Sequence, residues 1–71
     1  MKEFFNVDFA DVERAIRSYV YIDGYTTIAQ EYHKRAFRYW LNSAEYEVLN
    51  ESHPVYKGTN IESAIKIYNA L

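Results

Sequence analysis

Proton exchange near neutral pH falls to His33 and His53, the two histidines of this 71-residue chain, because no other side chain titrates there unperturbed. General acid–base work needs such a group held against a partner carboxylate. His33 stands two positions after Glu31, and on a helix residues two apart point in different directions. His53 precedes Pro54 in a loop-forming stretch. The pair lacks HExxH spacing and the chain has no cysteine, so neither a zinc site nor a thiolate nucleophile is on offer. With glycine only at positions 24 and 58, the glycine-rich turns of phosphate-binding and hydrolase motifs cannot form. The expectation is a non-enzymatic chain with no catalytic residue, no metal and no cofactor.

Binding chemistry is better represented. Lys34, Arg35 and Arg38, with His33 beside them and Glu31 as the one acid, form a local basic surface able to contact nucleic-acid phosphates. A solvated helix face accounts for the same residues, since Glu31 and Arg35 are four apart in the favourable order. The net charge of −2 is not that of a basic nucleic-acid binder. Glu45, Glu47 and Glu51 form an acidic counterpart, which on a strand edge discourages sheet-to-sheet aggregation or steers the molecule toward a complementary patch. Eight Tyr with 4 Phe and 1 Trp suit a small core close to the surface, and equally a contact surface. Tyr21 and Tyr25 fall outside every helical apolar stripe. With Glu45 and Glu47 they are the candidate protein-interaction surface, a reading that joint exposure of the two tyrosines would favour and their burial would weaken.

The elements that position these residues follow from hydrophobic periodicity. At about 100° per residue, Phe9, Val12, Ala15, Ile16, Tyr19 and Val20 share one helix face, with Asp8 as N-cap and acids before bases along the dipole. Over 27–41, Ile28, Ala29, Tyr32, Ala36, Tyr39 and Trp40 oppose Gln30, Glu31, Lys34, Arg35 and Arg38, and Thr27 with Gln30 has capping-box spacing. Read as a strand, the same segment would mix charge and bulk on each face. Between these segments Asp23-Gly24 is a hairpin signal by local propensity, but the longer period makes Gly24 a helix terminator with positive φ. Residues 44–50 and 54–58 alternate as a short β-hairpin, with Pro54 at an edge. Ile61, Ala64, Ile65, Tyr68 and Leu71 mark a last helix.

The predicted fold is therefore α+β in a single small domain, 1–71. It has two antiparallel amphipathic helices (about 8–22 and 27–41), a β-hairpin (about 44–50 and 54–58) and a C-terminal helix (about 60–71), with a possible N-terminal strand over 2–6. The expected core is Phe9, Val12, Ile16, Tyr19, Val20, Ile28, Tyr32, Ala36, Trp40, Val48, Ile61, Ile65 and Tyr68. A chain this short is near the lower limit for a self-sufficient core, which makes a homodimer plausible. Without cysteine, without a run of ~20 apolar residues and without a charged-then-apolar leader in MKEFFNVDFAD, the expectation is a cytoplasmic chain with no membrane segment. The Asn50-Glu51-Ser52 glycosylation triplet is read as chance. The function expected is a small regulatory or binding protein that acts by contact with a larger protein or complex, with phage-type inhibitors and accessory factors as one setting. The alternative is a nucleic-acid-binding regulator using Lys34, Arg35 and Arg38.

Overall fold

Asp8 opens the first helix as its sequence requires. Its carboxylate accepts the Asp11 N–H (2.9 Å) while its own N–H donates to the Asp11 carboxylate (3.1 Å), a reciprocal cap that satisfies two otherwise orphaned donors. The computed structural model describes residues 6–18, 20–32 and 34–71. Helix α1 (Phe9–Arg17) ends earlier than the period suggested. The Ser18 hydroxyl donates to the Ala15 carbonyl at 2.6 Å, and the β-branched Val20 and Ile22 follow. The candidate strand over 2–6 lies outside the described residues except for Asn6, which is in no regular element.

At Asp23-Gly24 the local signal prevails. Ile22 and Tyr25 exchange both backbone hydrogen bonds (3.0 and 3.2 Å) around these two residues. Both have positive φ, 57° and 90°, as a type I′ hairpin turn demands. Gly24 thus reverses the chain rather than ending a helix. The expected helix over 27–41 is absent, and in its place stand β1 (Tyr25–Glu31) and β2 (Arg35–Trp40). β3 (Glu45–Asn50) and β4 (His53–Gly58) form the expected hairpin, and α2 (Ile61–Ala70) closes the chain. The four strands make one antiparallel meander in chain order. Pro54 lies on edge strand β4, and next to it the pairing shifts so that Val55 is an extra, unpaired residue. A second shift makes Ile28 the bulged residue of β1.

Both helices contribute to one core against a single face of the sheet. Phe37 lies opposite Val48, and Val48 opposite Tyr56. These meet Val12 and Ile16 of α1 and Ala64, Tyr68, Ile61 and Ile65 of α2. The Phe37 ring is 5.6 Å from that of Tyr68 and 6.3 Å from that of Tyr46. Val7 joins the core and is tied to α2 by Asn69, whose side chain accepts the Val7 N–H (2.7 Å) and donates to its carbonyl (3.0 Å).

Several expected core residues are elsewhere. Phe9, Val20 and Tyr32 are exposed, and Ala36 and Trp40 sit on the opposite sheet face. Tyr19 lies outside the described residues. A strand here places charge among bulk on each face, and β2 shows how that is resolved. Arg35 is buried on the core side at 5 % exposure, but its guanidinium donates to Glu31 (2.7 Å) and to the Tyr68 carbonyl (2.6 Å) and stacks 4.3 Å from the Tyr68 ring. A cation on the last carbonyls of α2 is favourable by the helix dipole. Among the described residues no helix is long and apolar enough to cross a membrane.

Candidate interaction surface

Period-two alternation puts Tyr25 and Thr27 of β1, Arg38 and Trp40 of β2, Glu45 and Glu47 of β3 and Lys57 of β4 on the face of the sheet away from the helices. Among the described residues no element covers this face. Its middle row is set by register: Arg38 lies opposite Glu47, and Glu47 opposite Lys57, so charges alternate across three strands. Directly opposed unlike charges each contribute about 0.2–1 kcal/mol.

One step along the strands lies Trp40. Its indole N–H donates to Glu47 Oε1 at 2.8 Å, and the Arg38 guanidinium reaches the same oxygen at 4.0 Å. Glu47 is thereby reduced to 7 % exposure on a face that otherwise meets solvent. Tyr25 packs its ring 4.9 Å from Trp40. Arg38 lies 4.4 Å over the Tyr25 ring and Lys57 5.1 Å from the Trp40 ring, distances at which a cation is attracted to the ring face. The turn runs beside the indole with room to spare, since a Cβ at Gly24 would lie 3.8 Å from it, in ordinary van der Waals contact, and it is the φ of 90° that calls for glycine there. The result is a pre-ordered centre in which two rings are held by one carboxylate and two cations. Exposed Leu41 follows Trp40 and is bonded through its N–H to the Gly24 carbonyl at 3.0 Å.

Four residues expected at functional surfaces meet here. Tyr25, Glu47 and Arg38 are in contact with the centre, and Glu45 lies opposite Trp40 in the register. Tyr21 does not share their role: half-buried, it turns toward α1, and its hydroxyl donates to the Ile16 carbonyl at 3.3 Å. Tyr25 is half-buried too, so the two tyrosines are not the exposed pair the sequence suggested. The basic helix face does not exist. Arg35 faces the core, Arg38 the open face, and Lys34 the β1–β2 turn, 3.8 Å from Glu31. Glu31 and Arg35 do pair, but across a hairpin rather than along a helix.

No family model, curated protein or solved structure matches the chain. Its own surface chemistry therefore carries the functional reading. His33 lies outside the described residues. His53 is exposed, with Nδ1 3.0 Å from the Glu51 carbonyl. Among the described residues no three His, Cys, Asp or Glu side chains converge as metal ligands would.

The sequence reading missed Trp40 and Lys57 as surface residues. The signal was present: RAFRYW alternates between Phe37 and Tyr39 on one side and Arg38 and Trp40 on the other, and Asp23-Gly24 introduces it as a hairpin would.

Proposed function

We propose that the protein acts without chemistry of its own, by laying the open sheet face against a protein surface of a larger partner. The observation that supports this is the Trp40 centre. A large amphipathic ring is held in place before any partner arrives, so little rotamer freedom is lost on binding, and Trp, Tyr and Arg are the residues that most often anchor protein contacts. The chemistry of the face favours a protein over a nucleic acid. Arg38 and Lys57 are matched on the same face by Glu45 and Glu47, which a polyphosphate backbone would have to pass at electrostatic cost. A mixed-charge protein patch meets both signs.

A photo-crosslinking residue placed at Lys57, with a matched control at Glu13 on the exposed side of α1, tests this in cells that make the protein. Discrete protein adducts should form from position 57 and not from 13, and Tyr25→Ala should abolish them. Equal labelling from both positions, or adducts indifferent to Tyr25→Ala, would exclude the sheet face as the contact surface. Retention of labelled single-stranded or duplex DNA at low salt, lost with rising salt, would replace this reading with the nucleic-acid one.

A further inference from the structure

Helix α2 is less polar than its outward position calls for. Of its ten residues only Glu62 and Lys66 are charged, whereas α1 carries Asp11, Glu13, Arg14 and Arg17 in nine. A helix with so little charge has more apolar surface than one core-facing stripe accounts for. Ala64 and Tyr68 meet the sheet. About a third of a turn away lies a second stripe, Glu62, Ile65, Lys66 and Asn69, with the i, i+3, i+4, i+7 spacing by which helices pack. Phe9 stands beside it, because Asn69 holds both backbone groups of Val7. With Ala70 these residues line an open trough of about 670 Å³, and the Phe9 side of it is 55 % exposed. The trough is on the helical side of the molecule, away from the open sheet face.

We propose that this trough is the contact between two copies of the chain, their α2 helices packed antiparallel about a two-fold axis. Charge decides the occupant. Glu62 and Lys66 are both exposed, and among the described residues neither makes an ion pair within the chain. Their own pairing along an exposed helix would be weak, so it does not hold them back from a second copy. In a two-fold contact each surface meets itself. Antiparallel copies bring Glu62 of each within one helical turn of Lys66 of the other, giving two unlike-charge contacts. Parallel copies would set Glu62 against Glu62 and Lys66 against Lys66, and a partner surface of a single sign would oppose one of the two charges. Between the paired charges, Phe9 and Ile65 are covered. A domain near the lower size limit gains from apolar burial that its own core does not supply. A ten-residue helix is only about 15 Å long, so the contact is smaller than the ~800 Å² per partner of a standard interface and the dimer is a weak one, dissociating in the region of roughly 100 µM. The open sheet faces stay clear of the contact, so the dimer carries two of them.

The test is sedimentation velocity from about 10 µM to about 1 mM. The weight-average sedimentation coefficient of the wild type should rise from that of a monomer toward that of a dimer. Lys66→Glu and Glu62→Lys should each weaken self-association by about tenfold or more, because each sets like charges face to face. An equimolar mixture of the two variants should associate again, since the mixed pair regains both unlike contacts. Glu13→Lys makes the same charge change as Glu62→Lys on the exposed side of α1 and should have no effect. All three positions are exposed, so circular dichroism should show every variant folded. A wild type that stays monomeric to about 1 mM, association indifferent to Lys66→Glu, equal weakening by Glu13→Lys, or a mixture that fails to associate would each overturn the proposal. None of these changes touches Tyr25, Trp40 or Lys57, so crosslinking from position 57 is decided separately.

Discussion

The turn between β3 and β4 carries a conformational load that its residues are ill-suited to bear, and relieving it should stabilise the protein. Asn50 pairs with His53 across Glu51-Ser52, and both central residues have positive φ, 51° and 71°. That conformation costs an ordinary L-residue roughly 1–2 kcal/mol, whereas Asn and Gly adopt it readily. Glu51→Asn with Ser52→Gly recovers part of this at each position. Against it stands the extra freedom that glycine gives the unfolded chain, ~0.4–1 kcal/mol. The net gain works out at about 1–2 kcal/mol. For a domain of this size 1 kcal/mol moves the melting temperature by about 4–8 °C, so a rise of roughly 5–15 °C is expected in a thermal melt followed by circular dichroism. Glu51→Gln removes the same charge without changing the turn preference and should leave the melt near wild type. A matched Asp23→Asn change should also do little, because Asp-Gly already suits its turn. If the Asn-Gly variant melts at or below the wild-type temperature, the turn geometry assigned to Glu51-Ser52 is wrong.

Phe37→Ala should remove about 3–5 kcal/mol, much of the roughly 4–10 kcal/mol available to such a chain, because the ring is fully buried between α2 and β3. Trp40→Ala should cost about 2 kcal/mol through the bond lost to Glu47; urea melts in which Trp40→Ala is the more damaging would place the core on the other face. The Asp8 amide, with Arg14 behind it, holds the Asp11 carboxyl below its ordinary 3.8. Its stabilising contribution is therefore complete above that pH and is lost as pH falls through the lowered value, so wild type and Asp11→Asn should differ in stability at pH 7 and converge at acid pH. Burial pushes the Tyr68 hydroxyl above its ordinary 10.0, with Arg35 opposing and Glu31 adding to the rise. Stability should hold below pH 10 and fall as pH rises through the raised value, and Tyr68→Phe should reduce that alkaline loss in melts paired with tyrosinate absorbance.

Much of the periphery was legible in the sequence. Asp8 caps the first helix where its type and spacing placed it, the last helix begins where its apolar period does, Pro54 lies on an edge strand, and Glu45–Asn50 with His53–Gly58 forms the predicted hairpin. These features rest on interactions within a few residues, so local chemistry decides them. Tyr25, Arg38 and Glu47 were also singled out, although for surfaces of a different shape.

Residues 25–40 show where that legibility ends. Their charged and apolar residues sort onto opposite arcs of a helix, yet the same residues alternate as strands, and a helical wheel cannot choose between the two. The Asp-Gly turn favoured strands from the start. The objection was the charge that each strand face would carry, and its answer lies far along the chain: the last carbonyls of α2 receive Arg35 across 33 residues, and Glu47 of β3 receives Trp40 and Arg38 on the open side. By itself the sequence determined the Asp8 cap, the hairpin of β3 and β4 and the closing helix, because each is satisfied by its neighbours. Only the tertiary structure decided which face of the sheet became core, because a buried cation or carboxylate is tolerable only where a distant partner has been brought to meet it.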